Sequence, residues 1–206
     1  MNRNLIYWGD IPVPFVAAWS SEAGILIRFD RVIGACGVFR DGERGIGKPI
    51  FGKMDESRVR LVLRENRCQV CAQHLGRESF VFDVQKGTYG DCPIMNEPLA
   101  CERCFRLALA ICPGVKRQHG KPRAFGAIVR RYECIASHLG VYEGDGADAA
   151  LNEALKAWKG PRPVGYLRPA LVDYDVLDLD AFLADSRRAD MGRRGAGPQL
   201  QGGRSA

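Results

Sequence analysis

Two Cys-x-x-Cys pairs, Cys68/Cys71 and Cys101/Cys104, are the residues of this chain whose type and spacing most plainly define a chemistry. Four thiolates satisfy a soft tetrahedral cation such as Zn²⁺ at about 2.3 Å per bond. The two-residue gap in each pair turns the backbone tightly and aims both sulfurs at one point. The 29 residues between the pairs leave room for a strand or hairpin. The expected ligand set is therefore Cys68, Cys71, Cys101 and Cys104, with Zn²⁺ as the cofactor. A site with four protein ligands has no open position for water, so it is structural rather than catalytic.

The other four cysteines, Cys36, Cys92, Cys112 and Cys134, are scattered singly. Cys112 lies eight residues beyond Cys104, about 12 Å along a continuous helix, too far to share the ion. Cys92 precedes Cys101 by nine residues in an irregular stretch and competes for a place in the ligand set. An iron–sulfur cluster also accepts four thiolates and remains an alternative occupant. His74 follows the first pair closely and reads as a surface residue.

The elements that must position these sulfurs follow from pattern. Residues 55–66 (DESRVRLVLREN) form a helix with acids at its positive end and an apolar stripe of Val59, Val62 and Leu63. Arg58, Arg60 and Arg64 fall mostly away from that stripe. Between the pairs, residues 80–85 alternate as a half-buried strand does, and Cys101 opens a second helix that stops before Pro113-Gly114. Phe105 and Ala108 continue the buried face of that helix.

A turn with Cys68 and Cys71, a strand or hairpin near 80–90, and Cys101 and Cys104 in a helical first turn resemble a treble-clef zinc finger over roughly residues 66–112. Some treble clefs host HNH-type nucleases, and that resemblance implies a His base between the cysteine pairs and a metal-holding His or Asn on the following helix. Here only His74 lies between the pairs, and the helix after Cys104 has neither residue. A nuclease is thus a remote alternative. No Ser-His-Asp, Cys-His or paired-carboxylate set is evident, and Asp173, Asp175 and Asp178 read as the wet face of a strand. The protein is expected not to be an enzyme.

Charge is distributed unevenly. Residues 1–56 balance seven bases against seven acids, residues 57–131 carry 14 against six, residues 132–185 four against ten, and residues 186–206 five against one. The stretch 116–131 (KRQHGKPRAFGAIVRR) holds six cations and no acid, and Lys116, Arg117, Lys121, Arg123, Arg130 and Arg131 are candidate phosphate contacts. Arg58, Arg60, Arg64 and Arg67 extend the same patch. The competing reading is a solvated basic face balanced by the acidic region that follows. A third reading is a protein-interaction or assembly module, with docking surfaces in the proline-rich N-terminus and the acidic–apolar residues 171–185. The expected function is zinc-stabilised, non-enzymatic binding, to nucleic acid first and to a protein partner as the alternative.

The chain of 206 residues, 46% apolar and 26% charged, accommodates one sizeable domain or two small ones. The fold class is α+β. Short strands fill residues 1–54, where prolines demote several to edges. A zinc module with flanking helix and strand spans 55–140, a helical part spans 141–186, and a disordered basic tail spans 187–206. The Gly-rich GERGIGK stretch lacks phosphate-loop spacing and reads as a flexible hairpin loop. No run approaches the ~20 apolar residues of a membrane span, and no secretory signal opens the chain, so a cytoplasmic location with reduced thiols is expected. Arg exceeds Lys by 23 to 7, which reads as GC-rich coding. With its VPFVAAWSSE and KPIFGKM stretches, the chain resembles zinc-motif proteins of high-GC actinobacteria and their phages, a likeness that implies no activity.

Overall fold

The computed structural model describes residues 5–84, 87–118, 124–138, 149–182 and 184. The basic tail 187–206 lies outside them. Between residues 5 and 54 the regular elements are all strands: β1 (Ile6–Trp8), β2 (Ile11–Val13), β3 (Ala17–Trp19), β4 (Gly24–Asp30), β5 (Ala35–Asp41) and β6 (Pro49–Met54). Then come α1 (Glu56–Arg64), β7 (Ser79–Val84), β8 (Gly87–Tyr89), β9 (Cys92–Ile94), α2 (Glu102–Ile111) and α3 (Pro113–Gln118). The chain continues through β10 (Ala124–His138), α4 (Ala149–Ala157) and β11 (Val164–Leu177). No helix among the described residues is long and apolar enough to cross a membrane.

The α+β class is as expected, and the strands are gathered in one place. Among the described residues a seven-stranded sheet runs β4–β5–β11–β10–β7, with β9 pairing β11 and β8 pairing β9. It takes strands from all three segments distinguished in the sequence, which are therefore stretches of chain joined by one sheet. The segment 141–186 supplies α4 and also β11, a 14-residue strand at the centre of that sheet. Its residues 164–171 are buried except Tyr166 and Arg168, which are half-buried, and from Val172 onward the acidic residues emerge into solvent. Two separate ribbons, β1–β2 and β3–β6, complete the N-terminal part.

Helix α1 begins where Asp55 accepts the Arg58 amide at 2.8 Å, a normal N-cap. Val59, Val62 and Leu63 are buried as their spacing predicts and pack with Val16, Val164 and Leu167. The helical arginines behave differently from expectation. Arg60 is fully buried, and Arg58 is only 12% exposed, so neither extends a basic surface.

Their surroundings explain the burial. Arg60 donates through Nε to Asp30 at 2.6 Å, through Nη1 to the Gly165 carbonyl at 2.7 Å and through Nη2 to the Val38 carbonyl at 2.7 Å. It thereby joins the end of β4, β5 and β11 at the point where β5 and β11 share a single parallel register pair, Val164 with Gly37. A side chain at Gly37 would come within 2.9 Å of the guanidinium, so the glycine makes the approach possible. Arg58 grips Glu22 with both terminal nitrogens, and Glu22 also accepts the Trp19 amide at 2.7 Å. Glu56 receives Arg40 in a two-point pair at 2.9 and 3.0 Å. Three successive even positions of one helix thus bind three different strands or loops.

The GERGIGK stretch joins β5 to β6 and is pinned to Ser20 and Ser21, contrary to the expectation of a free hairpin loop. Ser20 Oγ accepts the Lys48 amide at 2.9 Å, and Ser21 Oγ lies within hydrogen-bonding distance of the Glu43 and Ile46 carbonyls. Gly47, at φ +76°, sits so close to Ser20 that any side chain would collide with the hydroxyl.

Replacing one partner of a buried ion pair strands the other charge, at a cost of about 3–5 kcal/mol. Arg60→Ala is expected to lower unfolding free energy by that order in urea titrations. The double change Arg60→Met with Asp30→Leu should recover part of the loss, because no buried charge is left unpaired, while the Val38 and Gly165 carbonyls still lose their donor.

Candidate metal centre

The first cysteine turn is set by local hydrogen bonds. Arg67 and His74 form an antiparallel bridge, the Cys68 amide donates to the Gln73 carbonyl at 2.8 Å, and the Ala72 amide donates to the Cys68 carbonyl at 2.9 Å. Closing so small a loop requires left-handed backbone at Asn66 (φ +49°) and Ala72 (φ +56°). The Val70 amide points at Cys68 Sγ, 3.4 Å away, and stabilises negative charge on that sulfur.

The second turn is the start of a helix. Cys101 is the N-cap of α2, with extended backbone, and its thiol makes no capping hydrogen bond. It faces the other sulfurs instead. Cys104 lies in the first turn, three residues on and so on the same helical face. The positive end of the helix favours thiolate at both positions.

Several bonds hold the two turns together. Gln69 donates its amide to the Leu99 carbonyl at 2.9 Å and its side chain to the Pro98 carbonyl at 2.7 Å. Phe80 and Ala100 exchange both backbone bonds at 2.8 Å, which ties β7 to the approach to Cys101. From outside, the Phe15 and Val16 amides donate to the Val70 and Gln69 carbonyls, so the N-terminal strand region backs the first turn. Below the site, Phe80, Phe105 and Phe182 form a ring cluster with centroids 5.4–5.7 Å apart.

The result is a cluster of four sulfurs, Cys68, Cys71, Cys101 and Cys104, all within 4.8 Å of one another. Cys71 and Cys101 are 3.9 Å apart. Four thiolates on one ion at about 2.3 Å would be separated by about 3.8 Å. The spacing therefore fits a single tetrahedral ion. Iron–sulfur clusters spread their thiolates over different irons and need a wider cage. Cys68, Cys71 and Cys104 are buried and Cys101 is partly so.

Electrostatics favour a cation. Hydrogen bonds from Cys104 and Cys68 pull the Cys101 thiol down to about 2. The same interactions raise their partners: Cys68 is pushed up to about 12, first by its bond to Cys101, and Cys104 is pushed up by Cys101 and Cys68. Four crowded sulfurs cannot all ionise without a positive charge among them. A divalent ion removes that conflict by displacing the protons.

Neither Cys92 nor Cys112 belongs to the cluster; Cys92 lies in β9, and Cys112 caps the C-terminus of α2. His74 is exposed, and His138 is exposed beside the Arg162 carbonyl. His119 lies outside the described residues.

The proposed phosphate contacts fare variously. Lys121 and Arg123 lie outside the described residues. Lys116 and Arg117 belong to α3, but their side chains are not among those described. Arg130 is exposed and forks onto Asp173 at 2.9 Å and Asp175 at 2.7 Å. Those carboxylates raise the Arg130 pKa, and Arg130 in turn lowers that of Asp175. Arg131 is exposed and borders a cleft of about 560 Å³ with Arg64, Asn66 and the rest of residues 130–134. Sequence reading did not foresee this cleft, because Arg64 and Arg131 are 67 positions apart and nothing local links them.

No protein-family description, curated protein or solved structure matches this chain.

Purified protein is expected to hold one divalent ion per chain by elemental analysis. Cys71→Ser or Cys104→Ser should abolish retention, whereas Cys92→Ser and Cys112→Ser should leave it intact. Because Cys68 and Cys104 hold their protons in the metal-free state, loading releases protons, so affinity rises with pH and is lost on acidification. Metal titrations in weakly buffered solution, read by proton release and by chelator competition, check the sign.

Proposed function

We propose that this is a zinc-stabilised binding protein without catalytic activity, and that its partner is a protein. The observation that carries the reading is the closed set of four sulfurs, which offers an ion no vacant position for substrate or water. The order of turn, strands and helix around the sulfurs supports a treble-clef-like description. Zinc is the ion best suited to four thiolates in a reducing compartment.

Of the arginines that a nucleic-acid surface would draw on, Arg58 and Arg60 are held in buried pairs, Arg67 bonds Glu65 at 2.6 Å, and Arg130 is clamped by two aspartates. Neutralising phosphates in succession requires cations free to face them. Arg64 and Arg131 have no ion pair among the described residues, and two such charges favour local recognition of carboxylates over tracking a phosphate backbone. The nucleic-acid reading stays alive through Lys116, Arg117, Lys121 and Arg123.

Fluorescence anisotropy of labelled single- and double-stranded oligonucleotides separates the two. Weak association that vanishes at physiological salt is expected. Tight binding with a steep salt slope, abolished by charge reversal at Lys116, Arg117, Arg130 and Arg131, would establish nucleic acid as the partner. Metal-dependent cleavage of DNA would overturn both readings.

A further inference from the structure

The sheet has an open edge where one strand outruns its neighbour. β10 is 15 residues long, but β7 pairs only with Ala124–Val129. On the other side β11 follows β10 as far as His138. From Arg130 to His138, one flank of β10 therefore has no strand partner among the described residues. Its register with β11 is regular from Tyr132 to Ser137, between irregularities at residues 129–132 and 137–138. A regular strand with one unpaired flank presents backbone donors and acceptors in the spacing another strand requires. Tyr132–Ser137 (YECIAS) contains no proline, the simplest means of blocking such an edge.

The cleft of about 560 Å³ lies along the start of this flank. The last turn of α1, with Leu63 and Arg64, forms its other wall together with Asn66. The Tyr132 hydroxyl donates to the Leu63 carbonyl at 2.6 Å and fixes helix to strand. A strand on one side and a helix end on the other make a groove suited to an extended peptide. Charge selects the peptide: among the described residues Arg64 and Arg131 are exposed and without ion pairs, Arg130 is already neutralised, and Glu133 is the one acid lining the cleft. β11 shows what chemistry β10 accepts on its opposite flank, since Asp173 and Asp175 alternate with apolar residues and hold Arg130.

We propose that the free flank of β10 is a strand-addition site for an extended segment of a partner protein in which acidic and apolar residues alternate. Backbone bonds to Tyr132–Ser137 provide affinity, and Arg64 and Arg131 select carboxylates. This inference rests on the reading of the chain as a protein-binding module.

The test uses metal-loaded full-length protein and a labelled synthetic peptide with the sequence of residues 171–180 (LVDYDVLDLD), alongside a version with every aspartate replaced by lysine. The acidic peptide should bind, more weakly as salt is added, and the lysine version should not. Arg64→Glu with Arg131→Glu should weaken binding roughly tenfold or more. Both residues are exposed, so an unchanged far-ultraviolet spectrum and metal content verify folding. Amide hydrogen exchange should slow at residues 132–137 when the peptide is present. No binding, protection elsewhere, or affinity indifferent to the two reversals would overturn the site while leaving the oligonucleotide and cleavage assays to judge the broader reading. Self-association that protects 132–137 without peptide would assign the edge to a second copy, and displacement of the peptide by an oligonucleotide would assign the cleft to nucleic acid; either result overturns the proposal.

Discussion

Four sulfurs brought to one point are the constraint on which the middle of this protein depends. They come from both ends of a long excursion, and backbone bonds through Gln69, Phe80 and Ala100 converge on the same place. Without an ion the crowding lowers the pKa of Cys101 and raises those of Cys68 and Cys104. With one, repulsion becomes coordination, and the metal joins the first turn to the helix that follows the second. Phe80 and Phe105 belong to the same core cluster as Cys68, Cys71 and Cys104, and Phe182 packs against it, which adds apolar burial to the same junction.

A second junction is polar and contains no metal. The first half of α1 places Glu56, Arg58 and Arg60 against β5, the turn after β3 and the end of β4, respectively. Buried charges of this kind add little net stability, because desolvation offsets much of their attraction. Their value lies in direction: each guanidinium accepts few arrangements of its partners, so the helix can seat on the strands in few ways. The Phe15 and Val16 bonds to the first cysteine turn link this polar junction to the metal centre.

Pairing of β10 with β11 joins the basic and acidic stretches of the sequence at one point. One cation of the basic stretch lies against the acidic one, because antiparallel register brings Arg130 against Asp173 and Asp175. Arg64 and Arg131 stay exposed and without an ion pair among the described residues, beside a strand flank that β7 is too short to cover. In the reading proposed above, recognition on this surface depends on the geometry of an edge more than on total charge.

The sequence by itself determined which four cysteines meet, since Cys-x-x-Cys spacing is a local property of tight turns and helical first turns. It also determined α1 and its apolar face, β7 and α2, because periodicity and capping act within a dozen residues. It left Cys92 open as a ligand, which only the placement of β9 resolves. Tertiary structure alone decided that Arg58 and Arg60 are internal, that the GERGIGK stretch is pinned to two serines, and that β11 runs through the centre of the sheet. Each of these depends on partners 22 to 127 positions away, from Val38 beside Arg60 to Gly37 paired with Val164 in β11. A charged residue on a helix reads as wet until the strand that neutralises it is in place, and no local pattern encodes that meeting.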